Sequence, residues 1–535
     1  MSNVTRSQLT GTESTAGRRV ATAVLSAAFL AFVASGLVVL QWVDETATYA
    51  GVDVLSLLGG ALVVVAVGVA GLGVGSRVGY VAGTPSDTAG VAVGAAFGLV
   101  WAVLGGVLGG VVLGDGLAAW LPAALALGVA GALASVVPRE DVGSTVPVAV
   151  ALGLVGSYVA VGGIGADWTW EPSWSSAAFP ESELVPLVVA VGSLLGAWSG
   201  AKAREGFGAT GRQAGAFTLV GTAVFGMLAV LALLVGFVVV NGVDAVLTGA
   251  SVAGGQFSLP LVDAAVPWPE LPFVGNVTGG LFVEIPGVLP AIIGTLWLVF
   301  GAVVFAVPLG VGAAVFLTEY AERGRFTQVV EVATNGLWST PSIVFGLFGL
   351  AFLVPRISGG NSIFVGQLVL GFMLLPLVLI TSREALLAVP DAHRDASAAL
   401  GVTQWQTVRS VVLPAAMPGT ITGIILGVGR IAGETAPLLL VFGGSPYPSQ
   451  TPNVLGSFEV VGRPPFVTNE ALLSPASALP YQLYSTITAG VFPKEAFTNT
   501  EFGWGTALVL LLVVLGLYAV GVGSRLYFRR KLHDE

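Results

Sequence analysis

Long apolar runs, separated by short polar breaks, recur throughout this chain. A helix needs about 20 mostly apolar residues to cross a bilayer, and these runs are long enough. Only 10% of the residues are charged and 55% are hydrophobic, whereas soluble domains carry about 25% charged residues. We therefore predict an all-α polytopic membrane protein with about twelve transmembrane helices in a lipid bilayer. The predicted spans lie near 20–41, 53–75, 89–113, 117–137, 146–165, 184–201, 214–240, 288–317, 329–354, 363–382, 418–442 and 505–525.

Several classes of function are excluded by composition. There are no cysteines and only two histidines, which excludes disulfides, thiolate chemistry and a histidine-based zinc site. The net charge of −9 argues against a nucleic-acid partner. A P-loop needs a lysine directly after a glycine. No lysine of this chain follows a glycine; the three lysines are Lys202, Lys494 and Lys531. We therefore expect no ATPase site, no cofactor, no metal site and no enzymatic chemistry in this chain.

Basic residues are distributed unevenly between alternate loops. With the N-terminus placed inside, most of the 21 lysines and arginines fall on the inner side, as the positive-inside rule requires. We predict a multi-pass protein of the plasma membrane with both termini in the cytoplasm. The basic break at 202–213 divides the chain into an N-terminal six-helix membrane region of unknown role, 1–213, and a second membrane region, 214–535.

The inner loop at 383–414 is too long and too polar for a simple connector. Its sequence predicts a helical hairpin. Pro390 begins the first helix and Gly401 ends it, while Thr403 caps the second helix and Pro414 ends that one. One face of the second helix carries the apolar residues Trp405, Val408 and Val412. The hairpin is expected to lie against the inner membrane surface.

The spacing within this hairpin resembles the EAA loop of ABC importer permeases. That pattern is Glu-Ala-Ala, three residues, Gly, nine residues, Ile, one residue, Leu-Pro. The matching positions are Asp395, Ala396, Ser397, Gly401, Val411, Leu413 and Pro414. Asp, Ser and Val replace the family's Glu, Ala and Ile, and the shorter Asp395 reaches less far. The resemblance implies that these residues couple the chain to a separate ATPase. A solvated hairpin without a partner is the alternative.

Three stretches of the second half resemble phosphate importer permeases of the PstA type. They are 290–321, 339–354 and "GRIAGETAPLLL" at 429–440. The resemblance covers 214–535 and implies that the last six helices form an ABC type I importer bundle. It also implies the partners: a PstB-type ATPase dimer that uses the ATP, a PstC-type second permease, an extracellular phosphate-binding protein, and phosphate. The outer loop at 443–504 is either a contact for that binding protein or a solvated loop.

Arg430 and Glu434 lie inside a predicted span, four residues apart, and would share one face of a helix. One charge at mid-bilayer costs about 2.5–3.5 kcal/mol, so the two must pair and face the protein interior or water. We interpret Arg430, Glu434 and the following Thr435 as part of the substrate path. The arginine fork suits phosphate oxygens. A structural ion pair is the alternative.

The glutamate suits a substrate that carries a proton. Protonated phosphate can donate a hydrogen bond to the Glu434 carboxylate, whereas sulfate has no proton to donate. Pro437 cannot donate to the carbonyl of Gly433, which would leave a further acceptor free. These acceptors beside Arg430 are expected to select phosphate over sulfate.

Small polar residues precede Pro341 in another predicted span. Asn335 and Ser339 are candidate path residues, and Pro341 is expected to free the carbonyl of Leu337. These polar groups either line the path or satisfy the backbone of a kinked helix; the sequence leaves both open.

Rival functions remain at this stage. A stand-alone secondary anion carrier or channel would also use an intramembrane Arg–Glu pair, but it would not need the hairpin at 383–414. An ABC permease for another oxyanion, such as sulfate or molybdate, is a second rival. The region 1–213 could also act as a regulatory or assembly module attached to the permease.

Overall fold

A computed structural model describes residues 15–40, 42–44, 46–81, 83–87, 91–113, 116–164, 168–171, 178–258, 265–280, 283–322, 324–463, 466–489 and 496–534. The chain forms two compact units, 1–231 and 232–535. The division falls inside one long helix rather than at the basic break that the sequence suggested. Lys494 and parts of the outer loop 443–504 lie outside the described residues.

The first unit is a bundle of apolar helices with two very short hairpins. Its helices are α1 Thr15–Val39, α2 Val54–Val78, α3 Val91–Leu113, α4 Leu117–Val136, α5 Glu140–Gly143, α6 Val146–Ala160, α7 Glu181–Arg204 and α8 Gly208–Leu247, the last of which continues into the second unit. The antiparallel strand pairs are β1 Thr48–Tyr49 with β2 Val52–Asp53, and β3 Thr169–Trp170 with β4 Phe179–Pro180.

The core of the first unit lies between α1, α2, α6 and α7. Leu62, Leu72, Val148 and Val189 are fully or almost fully buried there. Small residues allow close approach of the backbones: a Cβ at Gly59 of α2 would lie 2.6 Å from the Ala160 nitrogen at the end of α6. Membrane helices commonly pack through such small residues, because lipid supplies no hydrophobic force between them.

A buried ion-pair network joins α5, α7 and α8 in the first unit. The carboxylate of Glu140 lies 2.8 Å from Lys202 Nζ and 3.0 Å from Arg212 Nη1. It also accepts hydrogen bonds from the amides of Ser86 and Gly208, both at 3.1 Å. Glu140 and Lys202 are fully buried, so each depends on the other for compensation of its charge.

The second unit contains the predicted hairpin and the Arg430 region. Its helices are α9 Pro272–Gly275, α10 Leu289–Val315, α11 Arg325–Ser339, α12 Ser342–Phe348, α13 Val354–Ile357, α14 Ile363–Leu387, α15 Asp391–Ala399, α16 Gln404–Thr407, α17 Leu413–Ala432, α18 Ala436–Val441, α19 Leu479–Ala489 and α20 Asn499–Asp534. Its antiparallel strand pairs are β5 Ser251–Ser258 with β6 Ala265–Glu270, and β7 Phe458–Val460 with β8 Val467–Asn469. Wider π-helical turns occupy Phe316–Tyr320, Gly349–Leu353 and Val408–Val412, and a 3-10 turn occupies Leu455–Ser457.

The core of the second unit lies between α10, α14 and α17. Leu298, Leu370 and Leu374 are almost fully buried. A Cβ at Gly419 would lie 2.7 Å from Ala385 Cβ, so the glycines of α17 allow it to pack closely on α14. The site described below is therefore held by a tightly packed scaffold.

The predicted number of spans is confirmed. Among the described residues, eleven helices are long and apolar enough to cross a membrane, or twelve if one bent pair is counted as a span. The bent pair is α11 with the helical stretch 342–357, which meet at 101°. The span predicted at 329–354 is therefore not straight, because Thr340 adopts an extended conformation before Pro341, as residues before proline favour.

The prediction that Pro414 ends the second hairpin helix is wrong. One helical stretch runs from Gln404 to Ala432. The π-helical turn Val408–Val412 lies just before Pro414, and the amide of Leu413 donates to the carbonyl of Val408. A wider turn accommodates the missing amide of proline, so the helix continues.

Candidate functional site

Arg430 lies in the last turn of α17, and the helix ends directly after it. Gly433 follows α17 in a non-helical conformation, and α18 begins only at Ala436. The single helix predicted over 418–442 is therefore interrupted between Ala432 and Ala436, so Glu434 does not share a helix face with Arg430. Pro437 lies in the first turn of α18, a position at which no amide donor is needed.

The interruption still brings the two charges together. Arg430 Nε lies 3.7 Å from Glu434 Oε1, and the side chains are 37% and 17% exposed. This distance exceeds that of a hydrogen bond. Within the described part of the chain, we find no hydrogen bond donated by the Arg430 guanidinium. Its donors are therefore available to an anion.

Trp338 is a third member of this site, and the sequence analysis did not identify it. The guanidinium carbon of Arg430 lies 4.4 Å from the centre of the Trp338 ring, within the range of a cation–π interaction. Trp338 lies near the end of α11, directly before the bend. An aromatic residue beside a proline was visible in the sequence, but its pairing with a distant arginine was not.

The polar residues before the bend are largely used by the backbone. Ser339 Oγ donates to the carbonyl of Gly336 at 3.0 Å, and Thr340 Oγ1 donates to the same carbonyl at 2.8 Å. The carbonyl of Leu337 accepts from the amide of Thr340, so the expectation that Pro341 leaves it free is wrong. The two hydroxyls thus satisfy the backbone of the bend, and exposed Asn335 lies one turn earlier on α11.

Thr435 connects the two helical pieces. It precedes α18, is half-buried, and accepts a hydrogen bond from the amide of Leu439 through its carbonyl. Its hydroxyl does not cap α18. The structure therefore brings Arg430, Glu434 and Trp338 together, with Thr435 next in the chain and Ser339 next to Trp338.

The helical hairpin forms largely as the sequence predicts. Pro390 precedes α15, and Gly401 follows it with a φ of +72°, a left-handed conformation that favours glycine. Thr403 accepts from the amide of Gln406, whose side chain in turn accepts from the amide of Thr403. These reciprocal bonds form a capping box.

The apolar face predicted for the second hairpin helix is split. Val408 and Val412 are buried, but Trp405 is 57% exposed. Leu400, at the end of α15, is 83% exposed, and Val402 is also exposed. Leu400, Val402 and Trp405 therefore form an apolar tip, which we define by these three residues.

The residues that resemble the EAA pattern lie on several parts of the hairpin. Asp395 and Ala396 are exposed on α15, whereas buried Ser397 donates from Oγ to the carbonyl of His393 at 3.0 Å. Gly401 forms the turn. Val411 lies in the π-helical turn, and Leu413 and Pro414 are half-buried at the start of α17.

Comparisons with known proteins identify the family. A profile of the family described as "Binding-protein-dependent transport system inner membrane component" matches residues 306–534. The chain is 34% identical to the probable ABC transporter permease protein YqgI of Bacillus subtilis, over 45% of this chain and 79% of YqgI. It is 35% identical to the phosphate transport system permease protein PstA of Xylella fastidiosa, over 46% of this chain and 77% of that protein.

A further relative is PstA 1 of Mycobacterium tuberculosis, which is 37% identical over 43% of this chain and 67% of that protein. The chain belongs to the family of binding-protein-dependent transport permeases. Members of this family are membrane subunits of ABC importers, which work with an ATPase and a substrate-binding protein. The matched region, 306–534, contains both the Arg430 site and the hairpin of this permease.

The hairpin of the permease is tied to the end of α10 by Arg394, another residue that the sequence analysis missed. Arg394 Nη2 lies 2.9 Å from Glu319 Oε1. The hydrogen bonds to Glu319 raise the pKa of Arg394 above its usual value, so the guanidinium stays charged at any physiological pH.

In the described residues of the permease, no group of histidines and carboxylates could hold a metal ion.

Proposed function

We propose that this chain is the membrane-spanning permease subunit of an ATP-driven phosphate importer, and that Arg430 contacts phosphate on its path. The relatives named above as phosphate permeases support the substrate. The observation that carries the proposal is the state of Arg430. Its guanidinium is held between a ring face and a carboxylate, yet it keeps its hydrogen-bond donors available within the described chain.

Selectivity for phosphate follows from the acceptor beside the arginine. A phosphate that carries a proton can donate it to Glu434 while its other oxygens accept from Arg430. Sulfate has only acceptor oxygens, so the Glu434 carboxylate repels it. The loose 3.7 Å ion pair can open to admit an anion at a smaller cost than a tight bidentate pair.

The Arg430 side chain is more than one-third exposed in the isolated chain, although it lies beside apolar helices. A charge facing lipid is costly. We infer that a second permease of the PstC type covers this surface and completes the path, so that Arg430 faces a polar passage between the two subunits.

The hairpin supplies the surface for the ATPase. Asp395 and Ala396 are exposed on α15, and the apolar tip of Leu400, Val402 and Trp405 is exposed as well. An exposed apolar cluster next to polar residues is typical of a protein-docking surface. We infer that a PstB-type ATPase dimer binds here, on the cytoplasmic side, and that a phosphate-binding protein delivers substrate outside.

The N-terminal unit has its own core and its own buried ion-pair network. We infer that it acts as an assembly or regulatory module beside the transport machinery, with the N- and C-termini of the chain in the cytoplasm. Removing it while measuring uptake and co-purification of the other subunits tests this role.

The proposal is tested by uptake into vesicles that contain the assembled transporter, with phosphate and sulfate supplied in competition. We expect Arg430→Gln to abolish phosphate uptake, because the path loses its only proposed cationic contact. Glu434→Gln should reduce the preference for phosphate over sulfate, because the amide can donate to sulfate oxygens. The matched control is Glu459→Gln, on an exposed strand of the second unit. It should change neither phosphate uptake nor the preference for phosphate over sulfate.

Two results would contradict the proposal. Unchanged discrimination in Glu434→Gln would remove the selectivity argument, and normal phosphate uptake by Arg430→Gln would remove the site. Phosphate flux through the purified chain alone, without any ATPase, would favour a stand-alone carrier or channel instead.

A further inference from the structure

A single residue at the end of α10, Glu319, makes hydrogen bonds with both arms of the hairpin. Glu319 lies in the π-helical turn Phe316–Tyr320 that continues α10. Its side chain accepts from Arg394 of α15 at 2.9 Å. The side-chain amide of Gln404, the first residue of α16, donates to the backbone carbonyl of Glu319. The first arm is thus held by the side chain of Glu319 and the second by its backbone.

The Arg394 guanidinium also reaches the end of α14. It donates to the carbonyl of Leu386 at 3.0 Å and to the carbonyl of Val389 at 2.8 Å. These groups lie at and just after the helix end, and the carbonyl of Leu386 also accepts from the amide of Val389 at 3.2 Å. One side chain therefore joins α15, the end of α14 and the π-helical turn after α10.

Burial makes this connection strong. The Glu319 side chain is only 8% exposed, so its charge is poorly screened by water. Removing Arg394 would leave an uncompensated buried charge on Glu319, whereas Arg394 without Glu319 would keep its ion pair with exposed Asp391 at 3.1 Å. By contrast, the ion pair between Arg383 and Glu331, which joins α14 to α11, is more exposed at both ends and is expected to contribute less.

We propose that the Glu319–Arg394 pair is the joint through which displacement of the hairpin is transmitted to α10, and from there to the helices of the substrate path. Both residues are positioning residues, since neither lies at the Arg430 site. This inference rests on the proposed function, in which an ATPase moves the hairpin.

The packing of α10 explains why it can transmit the displacement. Gln367 of α14 donates to the carbonyl of Trp297 in α10 at 2.8 Å. A Cβ at Gly310 of α10 would lie 2.9 Å from a methyl group of Val378 in α14. Helices packed this closely cannot slide independently. A pull on Glu319 is therefore passed to the α10–α14 pair as a whole.

The experiment uses the full chain, assembled with its ATPase, second permease and binding protein in vesicles. The quantity measured is phosphate taken up per ATP hydrolysed. Glu319→Gln removes the charge but leaves the bonds of Arg394 to the two carbonyls intact. We expect this variant to retain the co-purified ATPase and to lower the ratio by about fivefold or more, the usual lower range of coupling between sites.

Glu331→Gln is the matched control, because it removes a carboxylate from the more exposed pair. We expect its ratio to equal that of the unmodified protein. The double variant, Arg394→Gln with Glu319→Gln, should lower the ratio of phosphate to ATP no further than Arg394→Gln alone does. This is the result expected for two residues that act through one contact.

A distance measurement provides a second readout that does not depend on transport. The chain contains no cysteine, so no native cysteine has to be removed before labelling. Spin labels are attached to cysteines introduced at Ala399 of the hairpin and at Tyr320 at the end of α10. We expect a narrow distance distribution in the unmodified chain and a broad one in Glu319→Gln.

The inference would be overturned if Glu319→Gln left the ratio of phosphate to ATP unchanged, or if it left the spin-label distance distribution unchanged. Loss of the ATPase from this variant would also overturn it, because the ion pair would then serve assembly of the complex. Failure of the unmodified chain to bind any ATPase is a different result, because it contradicts the proposed function itself.

Discussion

At the scale of the residue, the Arg430 site combines charges with an aromatic face. An arginine beside apolar membrane helices needs its charge to be compensated, and here Glu434 supplies the opposite charge at 3.7 Å while Trp338 supplies a ring at 4.4 Å. Neither contact uses up the hydrogen-bond donors of the guanidinium. Under the proposed function, those donors bind the phosphate oxygens.

Trp338 is therefore expected to matter for phosphate affinity. Trp338→Ala should raise the phosphate concentration for half-maximal uptake by about 2- to 30-fold, because cation–π contacts contribute about 0.5–2 kcal/mol. Trp338→Phe keeps a ring face and should lie much closer to the unmodified protein. Uptake measured over a range of phosphate concentrations checks both; equal values for Ala and Phe would show that the ring face plays no part.

At the scale of the element, two π-helical turns each end two positions before a proline. Gly349–Leu353 precedes Pro355, and Val408–Val412 precedes Pro414. In each case the extra residue in the turn accommodates the missing amide, so the helix continues past a residue that usually interrupts it. This is why α16 and α17 form one continuous stretch, which extends the hairpin directly into the helix that carries Arg430.

The turn between α15 and α16 depends on a left-handed glycine. Gly401→Ala should destabilise the hairpin by about 1 kcal/mol, because its φ of +72° is unfavourable for a residue with a Cβ. Hydrogen exchange should become faster at the amides of α15 and α16. Gly360→Ala, at a glycine with open space around it and no left-handed φ, is the control and should leave exchange in the hairpin unchanged.

At the scale of the whole molecule, each of the two units has its own hydrophobic core. The family match falls in the second unit, where the site and hairpin lie. The first unit instead concentrates its buried charge around Glu140 and Lys202. A unit that buries an ion pair of this kind depends strongly on both partners for its stability.

Lys202→Met should therefore destabilise the first unit by about 3–5 kcal/mol, because it leaves the Glu140 carboxylate short of a partner. The amides of Ser86 and Gly208, which donate to Glu140, should exchange faster, while those of α14 should not. Arg204→Gln, at an exposed pair 3.9 Å from Glu205, should have little effect. Uniform acceleration across both units would contradict separate stability.

The sequence alone determined the features that depend on local chemistry. The membrane spans follow from the length of the apolar runs, and the hairpin follows from Pro390, Gly401 and the capping box at Thr403, because caps and turns involve residues only a few positions apart. The pairing of Arg430 with Glu434 was also accessible, since the two are four residues apart.

Only the tertiary structure decided how distant elements meet. Trp338, on α11 just before the 101° bend, contacts Arg430, and Arg394 of the hairpin contacts Glu319, 75 residues earlier in the chain. Prolines indicate where a helix can bend, but the direction of the bend and the partner it reaches depend on side-chain packing across the bundle. Such long-range contacts leave no periodic pattern in a single sequence, because the two residues of each contact lie in different helices, far apart in the chain.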